Sequence, residues 1–464
     1  MTRFSVLALA LLAAAASAQV AHVHDAAAEG FGCTLYVEDG EAVAGPYLPF
    51  DDLDSSGARR SGEGTRVTSQ GAQATITVTY DIGFTPAAQA AFQRAVDIWA
   101  NHIASPIEIR VDARFAPLAS GVLGSAGPTR IIGLEDSQTL EVTWFPIALA
   151  DKILGRDVTN SDGTPIPFDL RATFNSNRTD YYFGLDGNPG SGQFDFVTIV
   201  LHELGHGLGF VGSGDVDDGQ GTGNDVECNG TAGVGCVGIT SSSSGNTFPL
   251  IYDRFLEDAQ GTSILNTTFY PNPSVALGNL FQSQNLFNDA PEVVRVYGAR
   301  APIYAPVTFD GGSSFSHWDE VTFTQTGGSA ALMTPRVARG EAYQDPGNIT
   351  CAFFKDMGWD LGAGCVLITT PTEVGPNDAA LALEIAGPNP VRGATALRLR
   401  QREPGPVRVV LHDALGREVL VLADGDAGSD LRVRVEAAAL APGVYHVVAR
   451  GEGGARVLAL TVVR

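Results

Sequence analysis

The stretch FDFVTIVLHELGHGLGF, residues 194–210, decides how the rest of this chain is read. Its His202, Glu203 and His206 follow the order H-E-x-x-H. Four helical residues turn the chain by about 400°, so the two histidines fall roughly 40° apart on one face, one turn above the other. Imidazoles so placed can share one zinc ion, with Glu203 beside them to take a proton from a zinc-bound water. Phe196, Val197, Ile199, Val200, Leu201, Leu204 and Leu208 require that such a helix be buried. Gly205, Gly207 and Gly209 are poor helix formers, at about 1 kcal/mol each relative to alanine. Their number implies close packing and a stop near Gly209. The same pattern also suits a plain buried helix whose histidines bond to backbone, so the surrounding chain must decide.

At 464 residues the chain is long enough for two or three domains. Residues 1–18 carry Arg3, an apolar run from Val6 to Ala16 and the small-residue site Ala16-Ser17-Ala18, the pattern of a secretory signal. No later segment is apolar for long enough to span a bilayer, so no integral membrane segment is expected. The expected product is secreted, or attached to the outer cell surface after export. The formal charge is −23. Residues 376–464 hold 11 Arg against 10 Asp and Glu, so they carry +1 and the remaining 375 residues carry −24. Lys152 and Lys355 are the only lysines. An exterior so acidic argues against nucleic-acid binding.

Export permits disulfides among the five cysteines. Cys228 with Cys236 and Cys351 with Cys365 is the simplest pairing, and it leaves Cys33. That thiol is free, belongs to a different disulfide or, as part of a pro-segment, is a ligand that keeps a zinc site latent.

Residues 19–70 are mixed in composition and read as a pro-segment or loosely structured leader. From residue 74 the pattern becomes regular. ATITVTYD (74–81) alternates as a half-buried strand does. Thr85-Pro86 opens a helix, with Phe92, Val96 and Trp99 on one face up to Ile103. His102, on this helix, reads as a surface or satisfied histidine. IEIRVDARF (107–115), DLRATFNS (169–176) and YYFGLDG (181–187) are further strands. This order predicts an α+β fold with a mixed sheet. After Gly209, residues 211–247 are rich in Gly, Ser and Asp. Asp215, Asp217, Asp218, Asp225 and Glu227 there are either a solvated acidic loop or a calcium (Ca2+) site. Further on, ITCAFFKDMGW (349–359) has an apolar helical face.

A catalytic zinc takes three protein ligands and a water. Where a third histidine follows the H-E-x-x-H glycine closely, it stands three residues past that glycine; here that position is Gly212. Asp215 is one candidate. His317, in SSFSHWDE and 111 residues after His206, is the better one. Met333 follows in LMTP. HELGHGLGF, a remote SHWDE and then LMTP resemble the leishmanolysin branch of the metzincins, over roughly residues 74–360. The resemblance implies a metzincin-like catalytic domain, residues 71–365, with Zn2+ held by His202, His206 and His317. It implies Glu203 as general base, Met333 in a methionine turn under the metal, and proteins or peptides as substrates.

Residues 366–380 look like a linker. Beyond them, PNPVRG, VRVVLHDALGREV, LRVRV, APGVYHVVARG and RVLALTVVR are short alternating strands between Gly/Pro turns, the signature of a small β-sandwich over 381–464. PNPVRG, DALGREV and LAPGVY in this order resemble the type A sorting domain of the type IX secretion system. That implies the type IX secretion machinery as a partner and export across an outer membrane. The leading expectation is therefore a secreted zinc-dependent metalloendopeptidase. The alternative is a non-catalytic secreted surface protein or adhesin whose metal site is structural and closed by a fourth ligand.

Overall fold

The structure is a computed structural model and describes residues 19–24, 33–37, 66–68, 73–136, 141–160, 162–219, 228–324, 329–367, 381–385, 387, 391–401, 404–412, 418–437, 440–441, 443–451 and 454–462. The expected signal, residues 1–18, lies outside them, as does most of the expected linker. The chain divides into two compact units with the boundary after Val366. Each has its own core.

The first unit is mixed helix and strand. Its first ten strands are β1 (Gln19–His24), β2 (Cys33–Val37), β3 (Arg66–Thr68), β4 (Ile76–Tyr80), β5 (Ile103–Ala104), β6 (Ile109–Ala116), β7 (Val122–Pro128), β8 (Ile131–Glu135), β9 (Val142–Pro146) and β10 (Leu170–Asn175). The main sheet is seven-stranded, in the order Arg336–Val337, β2, β7, β10, β6, β4, β3. It is mixed: β6 pairs in parallel with β4 and β10, whereas β7 runs antiparallel to β10 and β2. β1 joins β8 and β9 in a separate sheet.

Two readings of the sequence need correction. Residues 19–70 are not uniformly loose, because their described pieces are all strands and two of them lie in the main sheet. The stretch 74–81 reads as half-buried, and on its polar face Thr75 is exposed and Thr79 half-buried accordingly, but Thr77 between them is covered. Thr77 is buried, and its hydroxyl donates to the Glu108 carboxylate, which satisfies the group away from water.

Helix α1 (Pro86–His102) starts where the sequence places it: the Thr85 hydroxyl accepts from the Ala88 N–H at 3.2 Å, and Pro86 takes the first turn. Helix α2 (Ile147–Leu154) follows β9. Helix α3 (Phe196–Gly207) is the H-E-x-x-H helix. Phe92 of α1, Phe174 of β10 and Phe196 of α3 meet edge to face, with centroids 5.8 and 5.0 Å apart, so both helices share one aromatic core with the sheet. Trp99 of α1 also donates its indole N–H to the Leu201 carbonyl at 2.8 Å. The region after α3 is built of short strand pairs and turns, pinned by the Cys228–Cys236 disulfide, and Cys351–Cys365 closes the C-terminal helix Gly347–Met357. Cys33 is free and buried.

The second unit consists of two antiparallel sheets, of three and four strands. Alternate residues of strand Ala394–Gln401 are buried, and Leu397 and Leu399 share a core with Val407, Val409, Leu411, Tyr445, Val447 and Leu460. Among the described residues no helix is long and apolar enough to cross a membrane.

Candidate metal centre

Helix α3 begins at Asp195, whose carboxylate accepts from the Thr198 N–H at 3.1 Å and the Thr198 hydroxyl at 2.7 Å. It ends where Gly209 takes φ +126°, a conformation open to glycine and rarely to other residues. All twelve of its residues are buried. Two of its glycines are places of close approach. A Cβ on Gly207 would stand 2.8 Å from Leu170 Cβ of β10, and one on Gly205 would stand 2.8 Å from Met333 Sδ. Met333 therefore lies directly against the helix, between the two histidine positions.

His202, His206 and His317 come together. Their Nε2 atoms are 2.9 Å (202 to 206), 3.1 Å (206 to 317) and 3.2 Å (202 to 317) apart. Each Nδ1 lies 2.6 Å from a backbone carbonyl: Leu332 for His202, Phe210 for His206 and Ser313 for His317. A carbonyl only accepts, so each Nδ1 must carry the proton. A neutral ring has one N–H, so each Nε2 presents a bare lone pair. Burial holds all three rings neutral: it pulls His202 down to about 4, and it pushes His206 and His317 well below the usual range. Three lone pairs thus face one point at about 3 Å separation, an arrangement that repels unless a cation lies between them.

Glu203 is wholly buried, and neither carboxylate oxygen completes a well-formed hydrogen bond. The main-chain N–H groups of Leu35 and Ala126 face it, while burial pushes its pKa well above the usual carboxylate range. β7 runs so close that a Cβ on Gly124 would be 3.0 Å from Glu203 Oε1.

The sequence left three supporting carbonyls unread, and one of them had a signal. Leu332, in the LMTP stretch, orients His202, while the Met333 carbonyl accepts from the Trp318 N–H at 2.9 Å, beside His317. One turn thereby positions imidazoles from two distant segments. Gly212 also has a physical reason. The Phe315 ring lies over it, 2.4 Å from where a Cβ would be, so no side chain fits at that position.

Asp215 is not part of the cluster. It sits in strand Asp215–Val216, paired with Gly235–Cys236. Asp217 accepts from the N–H groups of Cys228, Asn229 and Thr231 and so organises its own loop. Asp225 and Glu227 lie outside the described residues. His102 is buried and bonds to the Ile98 carbonyl at 2.6 Å, which makes it the satisfied histidine expected. The Cys33 thiol bonds to the Ser316 hydroxyl and does not join the three imidazoles. The chain matches no known protein-family model and no curated protein.

Proposed function

We propose that this chain is a secreted zinc-dependent endopeptidase of the leishmanolysin-like metzincin kind. Its second unit would be a type IX sorting domain. The observation that carries the enzymatic reading is the convergence of three imidazole lone pairs next to a buried carboxylate that no cationic side chain among the described residues neutralises. Neutral imidazole donors suit zinc, and tetrahedral zinc with Zn–N of about 2.0–2.1 Å separates its ligand nitrogens by roughly 3.3 Å. The observed spacing is close to that. His202, His206 and His317 would hold the ion, and Met333 would fill the space beneath it. Among the described residues no Asp, Glu or Cys completes the set, which favours a catalytic site over a closed structural one.

A zinc ion bound here would acidify a water and polarise a peptide carbonyl. Glu203 would accept the proton of the attacking water and return it to the leaving amine. The three carbonyls that fix the Nδ1 protons would keep the rings aimed without adding charge.

Casein hydrolysis that a chelator stops and added zinc restores is the expected activity. Glu203→Gln should keep the metal and lose at least about 100-fold in rate, the scale of a general-base contribution. A zinc-loaded Glu203→Gln protein cleaving at the wild-type rate would sink the mechanism. His317→Ala should fail to retain stoichiometric zinc through dialysis, measured by metal analysis.

A further inference from the structure

His206 leans on the Phe210 carbonyl and His317 on the Ser313 carbonyl, so the segments that supply those carbonyls decide where the two rings point. The two segments lie together. The Gly212 N–H donates to the Ser316 hydroxyl at 3.0 Å, and the Phe315 ring covers both Gly212 and Gly214, 2.4 Å from where each would carry a Cβ. One short turn, Tyr252–Phe255, touches both of them. Tyr252 is wholly buried, and its hydroxyl donates to the Phe315 carbonyl at 3.0 Å. Asp253, also wholly buried, serves the other segment: its carboxylate accepts from the Ser213 N–H at 2.9 Å and from the Ser213 hydroxyl. The turn is itself tied to β9, since the Trp144 N–H donates to the Pro249 carbonyl and the Ile251 N–H to the Trp144 carbonyl, both at 2.9 Å.

Phe315 shows why such an anchor matters. Its φ is +73°, in the left-handed region that a bulky side chain rarely adopts. Both of its main-chain groups are engaged, the N–H with the Tyr304 carbonyl at 2.8 Å and the carbonyl with Tyr252. Removing the Tyr252 hydroxyl would leave a buried carbonyl unpaired and free the strained residue to relax, two positions before His317. Resting on the reading of the three imidazoles as a zinc site, we propose that Tyr252 and Asp253 are positioning residues for it. Tyr252 fixes the approach of the chain to His317. Asp253 fixes the segment whose Phe210 carbonyl orients His206. Because they are neighbours on one turn, they set the 3.1 Å between the two Nε2 atoms. The long stretch between His206 and His317 thus places the third imidazole as well as delaying it.

The test uses the full chain, metal-free and reloaded. Tyr252→Phe keeps the ring and loses only the hydroxyl. Its zinc affinity, read by competition with a chromophoric chelator, should fall about 10–100-fold, the scale on which groups that orient metal ligands act. Tyr181→Phe is the control: it also removes a buried hydroxyl that donates to a backbone carbonyl, that of Leu123 at 2.7 Å, and should bind zinc as the parent does. The two metal-free variants should melt at similar temperatures. The visible spectrum of the cobalt-substituted protein, which reports the arrangement of the ligands, should change in Tyr252→Phe and not in Tyr181→Phe. Asp253→Asn should weaken zinc binding from the other side; if it does not fold, Tyr252→Phe decides alone. Parent-like zinc affinity and cobalt spectrum in Tyr252→Phe overturn the proposal and leave the peptidase reading standing. An equal loss of affinity in Tyr181→Phe overturns it too, since the effect would then be general loosening. A parent chain that takes up neither zinc nor cobalt removes the zinc reading itself, and the proposal with it.

Discussion

Gly207 shows how tightly the H-E-x-x-H helix is set. Alanine there would gain about 1 kcal/mol of helix propensity, yet its Cβ would stand 2.8 Å from Leu170 Cβ, an atom fixed to the β10 backbone. Overpacking of that kind costs about 1–3 kcal/mol. Gly207→Ala should therefore lower the melting temperature, and a variant that melts higher than the parent would show that β10 and α3 can separate freely. A second residue ties stability to pH. Asp151 of α2 is buried, with one oxygen accepting the Val158 N–H at 2.7 Å and the other unpaired. Burial, reinforced by the Asp169 and Asp157 charges and opposed by the Val158 N–H, raises its pKa to about 7. The folded protein then binds a proton that the unfolded chain releases near pH 3.9. Stability supplied by that proton is complete below about pH 4 and is lost as pH rises to 7, with a slope of at most about 1.4 kcal/mol per pH unit. Asparagine mimics the protonated acid without titrating. Asp151→Asn should match the parent at pH 4.5 and melt above it at pH 8; a difference independent of pH would refute the assignment.

At the scale of elements, legibility followed side-chain periodicity. α1, β6, β10 and α3 stand within a residue or two of where apolar spacing and caps put them. His202 and His206 were readable because helical spacing alone brings them together. His317 needed elimination and a resemblance, since no local pattern joins residues 111 apart. β7 was not read at all. Its sequence, VLGSAGP, has the composition of a turn, because its residues are small where Gly124 lies against Glu203 and Phe174. The wall of the candidate site is thus the element whose sequence least resembles a strand. β2 was hidden for another reason: a five-residue strand that depends on partners at 122–126 and 336–337 carries no local sign of them. The cap of α3 gives a prediction at this scale. Asp195 serves the Thr198 N–H, the Thr198 hydroxyl and the Gln344 amide, the last at 3.1 Å. Asp195→Ala should cost about 1–2 kcal/mol and loosen the turn that leads to His202. Asp195→Asn should recover most of the loss, since its amide oxygen still accepts. Thermal melting of the two variants, together with zinc retention after dialysis, separates a capping role from a merely steric one.

Across the whole molecule, charge and core are both divided. The −24 of residues 1–375 contrasts with the near-balance of residues 376–464. There, arginines pair across strands with acids, as Arg398 does with Asp430 and Glu384 and Arg408 does with Asp424. These exposed pairs contribute little, so the second unit depends on its alternating apolar residues: Leu397, Leu399, Val409 and Val447 face one core that draws on both of its sheets. The first unit holds every residue of the candidate metal centre and its own disulfides. A chain ending at Val366 keeps Cys351 and Cys365 and should fold, retain zinc and cleave casein at the rate of the full chain. Calorimetry of the full chain should show a second transition that the truncated chain lacks. The proposed sorting role predicts a different loss. In a bacterium with a type IX system, the truncated enzyme should accumulate, active, in the periplasm while the full chain reaches the medium or cell surface. Normal export of the truncated chain would remove the sorting role and leave the enzymatic reading untouched, whereas a truncated chain that exports poorly because it no longer holds zinc would place the defect in folding. Metal content of the retained protein therefore decides between the two.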